Sequence, residues 1–326
     1  MSSVGAVRIH GTGGPEVLRF EQVGLAAPAA GEALVRHHAV GVNFIDTYHR
    51  SGLYPLPLPA VLGTEAAGVV EAVGEGVSEV TVGERVAYAG TLTGAYAEAR
   101  CIQASRLVSL PGDLSCEQAA AMMLKGMTAE YLLRRTHRVA PGETIVFHAA
   151  AGGVGLIACQ WASALGARVI GVVGSAAKAE LAREHGCAEV VVLPGEDLAR
   201  RVRELTGGRG VPVVYDSVGR DTFEASLDCL APRGLMVSFG NASGPVPPVS
   251  PLALASRGSL YLTRPTLTAY TADRGELLAS AAALFEVVRA GAVRVAVSRR
   301  YPLADAAQAH RDLEGRRTTG SLLLLP

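Results

Sequence analysis

Residues 144–148 (Thr-Ile-Val-Phe-His) run directly into Ala149-Ala-Ala-Gly-Gly-Val-Gly155 and then into an Ala/Leu-rich stretch. An apolar run, a glycine turn and a helical run in that order form a strand–turn–helix junction. Gly152 lets the backbone approach an anion with no Cβ in the way. Gly155 lets the helix pack close to the strand, and the N–H groups of the first helical turn face the ligand. The junction therefore reads as a cradle for a dinucleotide pyrophosphate. The first position of the usual G-x-G-x-x-G pattern is Ala150 here, so the reading leans on what surrounds it.

The surroundings repeat strand and helix. Short apolar runs occur at 168–173, 190–193, 211–216, 234–239 and 259–262, with helical spacing between them, as in Asp197-Leu-Ala-Arg-Arg-Val-Arg-Glu-Leu205 before Gly207-Gly208. Apolar strands without polar alternation fit a parallel sheet covered on both faces. With the strand at 144–148 they make a six-stranded, doubly wound Rossmann sheet of the α/β class.

The residues just past the second strand select among dinucleotides. A chain that selects NAD carries a carboxylate there to hold the ribose hydroxyls. This one has Gly174-Ser175 and, one turn into the next helix, Lys178. A hydroxyl and a cation without an acid suit a ribose 2′-phosphate, so the cofactor read is NADPH. Only two lysines occur in the chain, Lys125 and Lys178, and both fall inside motifs. The plainer reading of Lys178 is a solvated helix residue; the missing acid and the upstream glycine turn weigh against it.

With 326 residues the chain exceeds one ordinary core, so two domains are expected, with the binding place in a cleft between them. The formal charge is zero, with 30 basic and 30 acidic residues, which argues against nucleic acid or an anionic membrane as partner. No membrane span or secretory leader is legible, and a cytoplasmic protein is expected. The five cysteines show no C-x-x-C pair, hence neither a disulfide framework nor a zinc knuckle; reduced, buried thiols are expected.

Residues 1–125 have a different texture. Short strand candidates at 32–36, 67–73 and 85–88 are separated by glycine, proline and acidic turns, as in a small antiparallel barrel. Residues 126–263 form the nucleotide-binding domain. From 264 to 326 come a helix at 275–290, a strand at 293–297, a helix at 304–313 and a strand at 321–325, which return to complete the first domain.

Several separated motifs recur here in one order: Asn43-Phe-Ile-Asp-Thr-Tyr-His-Arg-Ser-Gly-Leu-Tyr54, Gly63-Thr-Glu-Ala-Ala-Gly68, Gly83-Glu-Arg-Val86, Gly94-Ala-Tyr-Ala-Glu98 and Lys125-Gly-Met-Thr128, and then the glycine cradle. The chain thereby resembles the medium-chain dehydrogenases/reductases over essentially its full length, and among them the zinc-free NADPH:quinone oxidoreductases, or zeta-crystallin-like proteins. The resemblance implies a GroES-like barrel as the catalytic domain. Zinc-dependent relatives take a metal cysteine and a Gly-His-Glu histidine where Val42-Asn43 and Gly63-Thr64-Glu65 stand here, so no catalytic zinc is expected. A quinone or conjugated carbonyl accepts hydride to give a delocalised anion that needs little help from a Lewis acid.

By the same resemblance, Asn43, Tyr48 and Arg264 lie at the reacting groups, and Tyr54 and Thr128 line the substrate pocket. Asn43 and Thr128 also touch the cofactor. Gly152, Gly153, Val154 and Gly155 meet its pyrophosphate and Gly174, Ser175 and Lys178 its 2′-phosphate. Ser217, Phe239 and Asn241 lie along adenosine and nicotinamide, and Arg316 near the phosphate end. Other readings stay open: Tyr48 as an aromatic that caps the barrel, Asp46 as a prop for the Asn43 loop, Arg264 as an interdomain ion pair, Arg316 as a surface charge. Where relatives carry a tyrosine beside the adenosine phosphate this chain has Leu193, so the 2′-phosphate preference rests on Lys178, Ser175 and Arg316. The implied function is hydride transfer from NADPH to a quinone in the interdomain cleft. The alternatives are an alkenal or enoyl double-bond reductase, and an NADPH-binding protein with little catalysis. A homodimer paired through the strand at 258–263 is expected.

Overall fold

A computed structural model describes residues 2–90 and 93–326. Eight strands come first: β1 (Ser2–Ile9), β2 (Arg19–Leu25), β3 (Glu32–Val42), β4 (Ala60–Val61), β5 (Glu65–Val73), β6 (Arg85–Ala89), β7 (Ala99–Gln103) and β8 (Val108–Ser109). Six come after the long helix Cys116–Tyr131: β9 (Thr144–His148), β10 (Arg168–Val173), β11 (Cys187–Val192), β12 (Val211–Asp216), β13 (Leu230–Ser238) and β14 (Tyr261–Thr263). The chain ends with β15 (Val297–Pro302) and β16 (Ser321–Leu325). The elements cluster into two compact units. One holds the chain up to Met127 with Thr271–Phe285 and Val295–Pro326; the other holds Thr128–Tyr270 and Glu286–Arg294.

In the second unit a six-stranded sheet runs in the order β11-β10-β9-β12-β13-β14, with every neighbouring pair parallel. This is the doubly wound Rossmann order expected from the apolar runs. Ile145, Val146 and Phe147 of β9 and Val213, Val214 and Tyr215 of β12 are at most 1% exposed, because both faces of the central strands are covered. That burial erases alternation from the sequence. The strand expected at 190–193 begins earlier, at Cys187, and ends at Val192.

The first unit is built on a seven-stranded sheet, β15-β16-β3-β5-β6-β8 with β7 also paired to β3, and a three-stranded sheet β2-β1-β4. It is the GroES-like unit. The returning strand β16 pairs antiparallel with the end of β3, Leu322 opposite Val42 and Leu324 opposite Val40, while Val40 pairs on its other side with Ala66 of β5. The last residues of β3 are therefore held on both sides. A strand expected at 293–297 does not form; it starts at Val297. The physical reason is a side chain. Gln160 Nε2 donates to the Arg294 carbonyl at 3.1 Å and its Oε1 accepts from Arg294 N at 3.0 Å, so an amide takes the place of a strand partner. Cysteine burial is also uneven: Cys116, Cys159, Cys187 and Cys229 are buried, whereas Cys101 is half-buried, and none of the five is in a disulfide.

Candidate active site

In the second unit, the expected cofactor residues from Gly152 to Asn241, and Arg264, expected at the reacting groups, sit just past the carboxyl ends of five parallel strands, the edge at which doubly wound sheets bind ligands. After β9 the backbone turns at Ala149, which takes a left-handed φ of 50°, and Gly152 then precedes the helix Gly153–Ala164. A Cβ on Gly155 would overlap the Ala149 carbonyl oxygen and lie 2.7 Å from both the carbonyl carbon and Cα of Ala150. Gly155 is closed to any side chain by backbone. Gly152 is closed only on one side, where a Cβ would sit 3.1 Å from the Ala149 oxygen. The two glycines thus have separable jobs, as a packing contact and as the open floor of a cradle.

After β10, Gly174 and Ser175 lead into the helix Ala176–Glu184, which carries the half-buried Lys178 in its first turn. Leu193 lies beside this turn: its N–H donates to the Val173 carbonyl at 2.8 Å, and its own carbonyl is 4.0 Å from where a Gly174 Cβ would be. No carboxylate ends β10 in the sequence. These residues fit a pyrophosphate and a 2′-phosphate.

Two further loops complete this edge, and the structure shows what holds them. Asp216, at the end of β12, accepts from Val218 N at 2.7 Å and Gly219 N at 3.0 Å through Oδ1, and from the hydroxyls of Thr222 and Ser226 through Oδ2. Burial would raise the Asp216 pKa. The nearby His148 ring and these hydrogen bonds outweigh it and hold the carboxyl below its ordinary range. Ser217 is thereby set at a fixed turn. Arg264 comes directly after β14, and its Nη1 donates to the main-chain carbonyls of Ser238 at 3.1 Å and Gly240 at 2.9 Å. That guanidinium fastens the loop bearing Phe239 and Asn241. Phe239 also packs against Phe147, ring centroids 5.8 Å apart. Thr128 lies elsewhere in this unit, buried on the helix Cys116–Tyr131.

In the first unit, Asn43 caps the helix Phe44–Ser51, which ends at Gly52 with a left-handed φ of 84°. Tyr48 projects one turn along it and is 9% exposed. Its ring meets Phe44 at 6.4 Å and stands edge-on to Tyr54 at 5.3 Å, so Phe44, Tyr48 and Tyr54 make one aromatic wall. Arg316 belongs to the same unit. It sits exposed, with a left-handed φ of 55°, just past the helix Ala306–Glu314.

Asn43 is gripped twice. Its side-chain Nδ2 donates to Glu65 Oε2 at 2.9 Å, and its main-chain N–H donates to Asp46 Oδ2 at 2.9 Å. Glu65 is fully buried and also takes Leu124 N at 2.7 Å and the Lys125 ammonium at 3.1 Å. Gly41 leaves the room for that carboxylate, since a Cβ there would collide with it and with the Ala120 carbonyl. Asp46, also fully buried, takes the Tyr96 hydroxyl at 3.0 Å and Thr64 Oγ1 at 3.3 Å. Behind it, Tyr96 Oη is 2.9 Å from His310 Nε2, and His310 Nδ1 accepts from Arg50 Nη1 at 3.0 Å. Arg50 is paired with Glu314 at 2.6 Å. Sequence reasoning did not identify Glu65, Lys125, Tyr96, His310, Asp216 or His148 as site residues. A signal existed for the first two, because Glu65 sits in the Gly63-Thr-Glu motif and Lys125 is one of two lysines. His310 offered none, being more than 200 positions from its partner.

Among the described residues, no group of three or more His, Cys, Asp or Glu side chains is placed to hold a metal ion. No helix among them is long and apolar enough to cross a membrane. Comparison with known proteins adds the family. The alcohol dehydrogenase GroES-like domain matches residues 29–144, and the zinc-binding dehydrogenase family matches residues 153–278. The quinone oxidoreductase of Pseudomonas aeruginosa is 56% identical over 315 residues, covering 96% of this chain and 97% of its own. The 2-haloacrylate reductase of a Burkholderia species is 47% identical, covering 98% of each chain. The crystal structure of Escherichia coli quinone oxidoreductase complexed with NADPH superposes with a TM-score of 0.97 at 53% identity, covering 99% of this chain and all of that one. A GroES-like unit, a doubly wound parallel sheet with its glycine cradle, and this full-length identity together place the chain in the quinone oxidoreductase family of the medium-chain dehydrogenases/reductases.

Proposed function

We propose that this protein is an NADPH:quinone oxidoreductase that works without zinc. The observation that carries the reading is the acid-free Gly174-Ser175-Lys178 turn beside the Gly152–Gly155 cradle, in a chain with more than half its residues identical to a quinone oxidoreductase. NADPH, when bound, supplies a hydride from its nicotinamide ring. The rest falls to the chain. The amides of Gly153, Val154 and Gly155 face the pyrophosphate, and Ser175 and Lys178 take the 2′-phosphate. Asp216 and Arg264 set the Ser217 and Phe239–Asn241 loops along the cofactor. Tyr48 and Tyr54 offer a flat acceptor an aromatic wall, and the Tyr48 hydroxyl is a proton source for the reduced oxygen. A hydroquinone anion is stabilised by its own ring, so one such donor suffices where an isolated alkoxide would need more.

The 47% identity to a 2-haloacrylate reductase favours a second reading, reduction of a conjugated carbon–carbon double bond. NADPH consumption with a panel of ortho- and para-quinones against 2-alkenals and 2-haloacrylates separates the two. Turnover of quinones is expected to lead; strong alkene reduction with none on quinones would reverse the order. Oxidation of NADPH by no acceptor at all would leave a cofactor-binding protein with little catalysis.

Lys178→Ala tests the cofactor assignment. Losing one charge-assisted contact to phosphate should weaken NADPH binding by about 10- to 100-fold and leave NADH binding nearly unchanged. Equal losses for both nucleotides would show that Lys178 does not read the 2′-phosphate. We also propose a cytoplasmic homodimer. β14 ends its sheet, with Tyr261 62% and Leu262 37% exposed, and pairing with a second copy would cover that edge. A monomeric mass at micromolar concentration would contradict it.

A further inference from the structure

The hydrogen bonds behind Asp46 run in one direction. A guanidinium only donates, so Arg50 fixes His310 Nδ1 as an acceptor and leaves the ring proton on Nε2. Nε2–H then donates to the Tyr96 oxygen, and the Tyr96 hydroxyl proton has Asp46 Oδ2 as its acceptor. Glu314 and the Gly13 carbonyl anchor the outer end on Arg50. Burial and the Arg50 charge push the His310 pKa down to about 3, so the ring stays neutral and the direction does not reverse near neutrality. The inner end is less comfortable. Burial raises the Asp46 carboxyl to about 7, against the bonds from Asn43 and Tyr96 and the Lys125 charge.

We propose that Asp46 is a positioning residue for Asn43 and for the helix bearing Tyr48, and that the Arg50–His310–Tyr96 chain holds it as the carboxylate this positioning needs. The proposal rests on the reading of the site given above. The groups that face Asp46 are Tyr96 from the loop before β7, Thr64 and Glu65 at the start of β5, and Lys125 from the helix Cys116–Tyr131, with His310 and Arg50 behind Tyr96. As a carboxylate, Asp46 accepts from Asn43 N–H, Tyr96 and Thr64 together. Once protonated the carboxyl brings a donor of its own: on Oδ2 it displaces the Asn43 N–H or the Tyr96 hydroxyl, and on Oδ1 it reverses the Thr64 bond and leaves Oδ2 an uncharged, weaker acceptor for both. The cap of the helix Phe44–Ser51 then loosens, and Asn43 and Tyr48 shift with it.

The test tracks Asp46 directly and functionally in the full chain. Carboxyl-carbon NMR of the cofactor-free protein reports the Asp46 titration; the pH dependence of NADPH binding and of kcat/KM with a quinone reports its consequence. Both are compared in wild type, Tyr96→Phe and the near-isosteric Asp46→Asn. In the wild type, binding and turnover should fall with acid along the same curve as Asp46 protonation. Tyr96→Phe removes one donor to a charged group and should move the titration and the acid limb together to higher pH by about one to two units. Asp46→Asn should abolish the limb. An Asp46 titration unmoved by Tyr96→Phe, or an acid limb that survives in Asp46→Asn, would overturn the proposal. Should Tyr96→Phe not fold, the Asp46→Asn comparison decides alone. A wild type that reduces no quinone would remove the functional reading, while the titration and the NADPH-binding profile would still decide the role of Asp46.

Discussion

Glu65→Ala is expected to lower the free energy of unfolding by about 3–5 kcal/mol, the cost of leaving one member of a buried ion pair without its partner. The side chain is fully buried and its ion-pair partner Lys125 is only 4% exposed. Water can therefore compensate little of the loss, and Asn43 Nδ2 and Leu124 N lose their acceptor at the same time. The pair as a whole need not stabilise the fold, because taking two charges out of water costs about as much as their attraction returns. A double-mutant cycle separates these statements. Glu65→Gln with Lys125→Met removes both charges and keeps one acceptor, for Asn43 Nδ2 or for Leu124 N but not both, and should recover stability to within about 1–3 kcal/mol of the wild type. Chemical denaturation reads both values. A loss under about 1 kcal/mol in Glu65→Ala would mean that Lys125 finds another partner and that the network is not what holds Asn43.

Gly155→Ala should both destabilise the second unit, by about 1–3 kcal/mol, and weaken NADPH binding by roughly 100-fold or more. Its Cβ would meet the Ala149 carbonyl and the Ala150 backbone, neither of which can swing aside as a side-chain tip does. The turn is already committed, since Ala149 has a left-handed φ of 50°, a conformation that costs a non-glycine residue about 1 kcal/mol or more. Relief must come from the helix Gly153–Ala164 moving off β9, which carries the first-turn amides proposed to hold the pyrophosphate with it. Gly152→Ala is the control. Its Cβ would press only on the Ala149 oxygen, at 3.1 Å, and touch the Ala149 Cβ at an ordinary 3.9 Å, and a helix-capping position with φ of −82° accepts alanine. It should unfold close to the wild type and still bind NADPH poorly, because its methyl occupies ligand space. Equal thermal shifts for the two variants would show that Gly152 is also a packing glycine.

Taken together, the two cases separate a residue that builds the site from one that lines it. Arg264 shows why the distinction matters. Its motif position suggests a partner for the substrate oxygen, and its Nη1 also donates to the carbonyls of Ser238 and Gly240. Its replacement would therefore also act on the loop bearing Phe239 and Asn241.

The parts of this protein that the sequence by itself determined are those written in local periodicity and short motifs. The strand–glycine–helix junction, the six apolar runs, the absence of an acid after β10 and the non-ligand residues at the zinc positions are each decided within a dozen residues, because backbone geometry and the chemistry of a single turn are local. Even there the limit showed at 293–297, where the apolar pattern suited a strand and the Gln160 amide took the Arg294 backbone instead. The tertiary structure alone decided what surrounds Asn43. Glu65 lies 22 positions away, Lys125 lies 60 beyond Glu65, and His310 lies 214 beyond Tyr96. Buried polar groups must find partners wherever the fold brings them, and no periodicity records which distant side chain will answer. The glycine turn after β9 could be read from neighbouring residues, but the network behind the helix Phe44–Ser51 is complete only once the helix Ala306–Glu314 has returned and set His310 between Tyr96 and Arg50.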